Sequence, residues 1–258
     1  DRFARAREET IAEIRHGLAL GQLVLYYQPK IDLRTQDAIG VEALIRWLHP
    51  SRGLLLPSEF LPTIANSELE IDVGDWVLAT SLRQLKTWSV TERSFAMCIN
   101  ASAHQLLSAG FVDRLRRLLV ETDLDSRRHH IEIEITETAI MTDVARIGQI
   151  IRECRVLGVR FALDDFGTGY SSLTHLRSLD IDAVKIDSSF VRGMSEEPHD
   201  RAIIQGVVAM TKAFGRVSVA EGIETESQFQ ALLGMGCDVG QGFFWAPPMP
   251  AEMFDQWR

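Results

Sequence analysis

Short β-rich runs and helical stretches take turns along almost the whole length of this chain. The runs LVLYYQPKI (23–31), IGVEALIRW (39–47), FAMCINAS (95–102), HIEIEITE (130–137), RFALDDF (160–166), AVKIDSSF (183–190), VSVAEGI (217–223) and DVGQGFF (238–244) read as eight strands. Helical patterns fall between them, near 58–66, 74–87, 103–120, 142–156, 171–178, 197–213, 225–234 and 251–257. Such alternation implies a largely parallel sheet with right-handed crossovers, and eight strands imply closure into a barrel. At 258 residues the chain has the length of one such barrel, typically about 250 residues. The first pair breaks the pattern. Only RTQDA separates strand one from strand two, whereas parallel neighbours need a crossover of about a dozen residues. The expected fold is therefore an α/β, TIM-like (β/α)8 barrel with its first strand antiparallel to the rest. The segment HPSRGLLLPSEF (49–60) reads as a loop leading into a helix.

Composition narrows the function classes. Hydrophobic residues at 46% and charged residues at 24% provide for a large core and argue against disorder. A net charge of −9 excludes a broad electrostatic footprint on DNA or RNA, so no nucleic-acid partner is expected. Cys98, Cys154 and Cys237 are odd in number and lack CxxC spacing, which favours a reducing, cytoplasmic compartment. No apolar run approaches the roughly 20 residues of a membrane span, and the polar start DRFARAREET lacks a signal-peptide core. Residues 1–20 read as a charged N-terminal helix or linker from an upstream domain, and 21–258 as the barrel. Any membrane anchor would belong to that upstream region.

In parallel αβ barrels the chemistry collects at the C-terminal ends of the strands. Here those ends carry Glu42, Asn100, Glu134 and Glu137, Asp164 and Asp165, Lys185 and Asp187, Glu221 and Glu224, and Gln241. Carboxylates sharing one mouth repel one another and need a cation to gather them. Oxygen donors without a His or Cys cluster favour Mg2+ or Mn2+ over Zn2+. Adjacent Asp164 and Asp165 suit two ions about 3.5–4 Å apart, one acid bridging and its neighbour, turned by the pleat, holding the second. Glu132 shares its side of the strand with Glu134, so parity alone does not choose between them. Singly, each acid is as readily a buried polar group; it is their joint occurrence at successive strand ends that points to a site.

With these positions assembled, the chain resembles the EAL-domain family of cyclic di-GMP phosphodiesterases. The resemblance is carried by YYQPKIDL, VEALIRW with Glu42-Ala43-Leu44, CINAS, EIEITET, ALDDFGTGYSSL, AVKIDSSFV, VAEGIETE and GQGFFWAPP, from about Gln22 to about Pro250. It implies hydrolysis of cyclic di-GMP to linear pGpG by two-metal activation of water, in bacterial second-messenger signalling. It assigns Glu42, Asn100, Glu134 and Asp164 to one metal, and Asp164, Asp165 and Glu221 to the other. Lys185, Glu221, Glu224 and Gln241 take the catalytic and supporting roles, with the proton acceptor left open between Glu221 and direct metal activation assisted by Lys185. Gln28, Leu44 and Arg46 become substrate contacts, Arg46 on a phosphate, and Glu137 braces the DFGTGYSS loop. Two ions of Mg2+ or Mn2+ are implied, with Ca2+ expected to bind and inhibit because it accepts looser geometry. A homodimer and an upstream sensor or GGDEF-type domain are the expected partners. Ile45, Trp245 and Ala246 depart from the pattern without removing a ligand. Two other readings use the same residues: a non-catalytic cyclic di-GMP receptor, and a barrel metalloenzyme that abstracts a proton with Lys185 as base.

Overall fold

The computed structural model describes residues 2–89, 96–124, 130–167 and 177–257. Nine strands form one sheet among the described residues: β1 (Leu23–Asp32), β2 (Ala38–His49), β3 (Gly53–Leu55), β4 (Ala96–Asn100), β5 (His130–Thr136), β6 (Val159–Phe166), β7 (Ala183–Ile186), β8 (Val217–Ala220) and β9 (Val239–Gly240). Their order is β1-β9-β8-β7-β6-β5-β4-β2-β3, and β1 also pairs with β2, which closes eight strands into a barrel and leaves β3 as an appendage. β1 is antiparallel to β2, as the five-residue connection demands, and also to β9, and the pairs from β2 through β4 to β9 are parallel. In that tight connection Asp32 Oδ1 accepts from the amides of Arg34 at 2.8 Å and Thr35 at 3.0 Å.

The barrel wall sorts its side chains by the two-residue period of a strand. On β5, Ile131, Ile133 and Ile135 are buried within the main apolar cluster. Glu132 and Glu134 alternate with them and point into the barrel. On the same inward parity, Ala162, Ala183, Val219 and Val239 form a separate small apolar cluster. Each lies two residues before Asp164, Lys185, Glu221 or Gln241, so this cluster floors the barrel about 6–7 Å beneath the polar layer.

Helices follow the strands: α1 (Arg2–Ala19), α2 (Pro57–Ile64), α3 (Glu68–Trp88), α4 (Ala103–Leu107), α5 (Phe111–Glu121), α6 (Glu137–Thr142), α7 (Val144–Val156), α8 (Ser188–Gly193), α9 (Pro198–Ala213), α10 (Glu226–Met235) and α11 (Ala251–Trp257). Among these, no helix is long and apolar enough to cross a membrane.

Several boundaries differ from the sequence expectation for local reasons. Segment 49–60 contains β3, which folds back on β2 as a hairpin. The strand expected at 130–137 stops at Thr136, whose hydroxyl accepts from the amide of Ala139 and caps α6, so Glu137 opens a helix. The strand expected at 183–190 stops at Ile186 because Asp187 caps α8. The last strand shrinks to two residues because the chain turns at Gly242. The helix expected at 171–178 lies mostly outside the described residues.

α1 is built into the barrel's surroundings. Ile11, Ile14 and Leu18 line one face at helical spacing; Ile14 is fully buried, and the others pack against the main cluster. Removing the Ile14 side chain to Ala should lower the unfolding free energy by about 2–4 kcal/mol in a single urea transition. An unmoved midpoint would place α1 outside the barrel's cooperative unit.

Candidate active site at the barrel mouth

Strand order and parity bring the predicted acids together around one cation. Lys185 Nζ, on β7, lies 2.5 Å from Glu134 Oε2, 2.7 Å from Glu221 Oε1, 3.3 Å from Asp164 Oδ2 and 3.4 Å from Glu42 Oε2. These carboxylates come from β2, β5, β6 and the residue following β8. Burial by itself would discharge this lysine, but the four carboxylates hold its ammonium well above the usual lysine range.

The neighbouring amides extend the network. Asn100 donates to Glu42 Oε1 at 2.7 Å. Gln241 Nε2 donates to Glu42 Oε2 and to Gln28 Oε1, each at 2.9 Å, and Gln28 donates to the carbonyl of Ala246 at 3.2 Å. Gln241 Oε1 is buried without a hydrogen-bond partner among the described residues.

Asp165 reaches the site by a route that strand alternation forbids. Between Leu163 and Phe166 the β6 strand carries one residue more than β7 does between Val184 and Ile186. Asp165 sits in this bulge with φ of 55°. A bulge re-aims a side chain that a regular pleat would send to the other face. Donor atoms of Asp164, Asp165 and Glu221 consequently all lie within 4.8 Å of one another.

Charge is left over. Four carboxylates surround one ammonium, with Asp165 beside them. Burial, together with Asp164 and Asp187, pushes the Asp165 carboxyl up. Burial also pushes Glu221 up to about 8, against the downward pull of Lys185. This excess of oxygen donors, with the unpartnered amide oxygen of Gln241 buried beside them, fits hard divalent cations.

Other predicted residues take varied places. Leu44 lines a cavity of about 660 Å³ that opens on Glu42 and Asn100 and is walled by Leu61, Val73 and Val77. The Arg46 guanidinium donates to the carbonyl of Ile45 and lies 5.6 Å over the Tyr26 ring. Glu137 is buried at the start of α6; the loop it was expected to brace continues into residues 168–176, outside those described. Glu224 is exposed on the loop after β8, where its amide donates to Gln228 Oε1. Trp245 packs on Phe229 and Phe244, and Trp47 on His49 and Phe60.

A second buried cation was not foreseen. Lys30 Nζ lies 2.8 Å from Glu132 Oε1, 3.1 Å from Glu134 Oε1 and 3.1 Å from Cys98 Sγ. Its signal was its parity with Gln28 on a strand whose inner face is polar.

The fold and the acid-lined mouth define a TIM-like barrel whose strand ends gather carboxylates that could hold a metal ion. More narrowly, the chain belongs to the EAL domain family, whose match covers residues 11–248. It is 40% identical over 233 residues to the cyclic di-GMP phosphodiesterase PA2567 of Pseudomonas aeruginosa, covering 90% of this chain and 39% of that protein. It is 38% identical over 250 residues to the bifunctional diguanylate cyclase/cyclic di-GMP phosphodiesterase MucR of the same species, covering 96% of this chain and 36% of that one. A solved structure of the PaMucR phosphodiesterase in complex with c-di-GMP superimposes with a TM-score of 0.91 at 38% identity, covering 95% of this chain and 99% of that one. The chain thus spans less than half the length of the curated relatives it matches.

The placement of Gln241 depends on Gly242. A Cβ there would stand 2.0 Å from the carbonyl oxygen and 2.3 Å from the amide nitrogen of Ile223, both backbone atoms with little freedom to yield. Gly242→Ala should therefore cost about 2 kcal/mol of stability. The corresponding fall in Tm is roughly 4–8 °C, measurable by thermal unfolding.

Proposed function

We propose that this domain is a metal-dependent phosphodiesterase that hydrolyses cyclic di-GMP to linear pGpG in bacterial second-messenger signalling. The observation that carries this reading is the convergence of Glu42, Glu134, Asp164 and Glu221 on Lys185, with a cavity alongside whose wall includes Glu42 and its partner Asn100. Its size lies within the roughly 300–1,000 Å³ range of small-molecule sites. The relatives named for this activity support the same substrate.

In this reading Glu42, Asn100, Glu134 and Asp164 hold one ion of Mg2+ or Mn2+, and Asp164, Asp165 and Glu221 a second. When bound, such ions supply Lewis-acid stabilisation of phosphoryl charge and activate water. Lys185, ringed by carboxylates, stays an ammonium; it donates to a water or a phosphate oxygen and does not accept a proton. That disfavours proton abstraction with Lys185 as base, and the proton acceptor stays open between Glu221 and direct metal activation assisted by Lys185. Gln241 orients water or substrate through its unpartnered oxygen, between Gln28 and Glu42. Leu44 contacts the ligand from the cavity wall, and Arg46 turns from Tyr26 to a phosphate. Glu224 supports the site from its loop, and Glu137 braces the segment after Asp165. The barrel, residues 21–258, works in the cytoplasm as a homodimer and takes its signal from an upstream sensor or GGDEF-type domain.

Incubation with cyclic di-GMP and Mg2+ should yield pGpG, followed by chromatography. Loss of a residue that merely supports a metal ligand costs roughly 10–100-fold, so Asp164→Asn and Glu42→Ala should each cost more than about 100-fold while leaving the far-UV circular dichroism unchanged. Binding of cyclic di-GMP without any turnover would instead establish the receptor reading. Added Ca2+ should suppress turnover with Mg2+; unchanged rates would count against a shared oxygen site.

A further inference from the structure

The Glu134 carboxylate is held from both sides, one oxygen to each of two buried lysines. Oε2 faces Lys185 at 2.5 Å, in the layer of Glu42, Asp164 and Glu221. Oε1 faces the other way, toward Lys30 Nζ at 3.1 Å. Lys30 is itself fixed by Glu132 at 2.8 Å and Cys98 at 3.1 Å. Glu134 and Lys30 are 1% and 4% exposed, so neither group can exchange its partner for water. Cys98, Glu132 and Glu134 form a donor cluster of the kind that could hold an ion, yet Lys30 Nζ already stands among their donor atoms. The cation beneath the mouth is thus built into the chain.

This clamp bears on which ion the layer above accepts. Mg2+ requires near-octahedral geometry at about 2.0–2.1 Å and takes single carboxylate oxygens, whereas Ca2+ takes 6–8 oxygens at about 2.3–2.6 Å and commonly uses both oxygens of a carboxylate. Of the two Glu134 oxygens, only Oε2 lies in the layer of Glu42, Asp164 and Glu221, where such an ion would be held. We infer that Lys30 is a positioning residue that makes Glu134 a one-oxygen ligand and so biases the mouth toward small divalent ions over Ca2+. The inference rests on the reading of Glu134 as a metal ligand. Lys30 reaches no substrate; it acts through the carboxylate it holds.

The test compares two ions of equal charge, so that any general change in electrostatics cancels in the ratio. Mn2+ binding to the metal-free protein would be followed by electron paramagnetic resonance of the free ion, and Ca2+ binding by its displacement of Mn2+. The variant is Lys30→Met with Glu132→Gln, which removes the clamp without leaving Glu132 as an unpaired buried charge. The ratio of the Ca2+ Kd to the Mn2+ Kd should fall by roughly tenfold in the variant, the scale on which partners of ligands act. An unchanged ratio in a folded variant would overturn the role of Lys30 while leaving the metal site standing. Wild-type protein that binds neither ion would overturn the site reading and this inference with it. If the variant does not fold, infrared difference spectra of the wild type decide. Carboxylate bands that appear on Mn2+ loading and vanish in Glu134→Gln should carry the splitting of one-oxygen coordination. A two-oxygen splitting would overturn the inference.

Discussion

The ammonium of Lys185 at the centre of four carboxylates is the contact on which the rest of this structure turns. Four buried acids in one layer would repel one another and take up protons, and one buried lysine would lose its proton. The carboxylates hold the lysine as an ammonium, while burial still pushes Glu221 up to about 8 against its pull. The match is incomplete: four carboxylates share one ammonium, and such an excess of oxygen donors is of the kind that could hold a further cation. Removing the lysine would leave four buried carboxylates without their countercharge, so the layer is specified by electrostatics rather than by apolar packing.

Such a layer is tolerable only because stability is drawn from elsewhere. The outward faces of the strands, as in Ile131, Ile133 and Ile135, pack under the helices in one large apolar cluster. The inward faces contribute only the small floor of Ala162, Ala183, Val219 and Val239. The reversed first strand then adds side chains at two depths. Gln28 meets Gln241 in the upper layer, and two residues further along, nearer the floor, Lys30 meets Glu132. A parallel first strand would present its residues in the opposite order of depth, with the lysine in the upper layer and the amide beneath.

Much of this was legible in the residues. Alternation of strand and helix foretold the barrel, the five-residue RTQDA connection foretold the antiparallel strand, and reading strand ends assembled Glu42, Asn100, Glu134, Asp164, Lys185, Glu221 and Gln241. What escaped were features that strict periodicity cannot express. Alternation sends Asp165 away from Asp164; a one-residue bulge with positive φ brings it back, and nothing in LDDF announces a bulge. Thr136 and Asp187 read equally well as strand residues until their side chains are seen to cap helices. For Lys30, beside a proline on the reversed first strand, only closure of the barrel puts the side chain inside.

The ambiguity between Glu132 and Glu134 shows why depth matters as much as parity. Both point inward, and both were equal candidates on the pattern HIEIEIT. The structure separates them by their partners. Glu132 Oε1 receives bonds from Lys30 and Cys98, in the lower layer. Glu134 spans the two layers, with Lys30 below and Lys185 above. A carboxylate in the lower layer has its countercharge supplied by the chain, whereas one in the upper layer shares a single ammonium with three others. The vacancy in charge therefore lies at the top of the barrel, beside the bulge that carries Asp165 and the cavity lined by Leu44. The same strand-end geometry that concentrates the acids also places their unmet charge where a ligand can reach it.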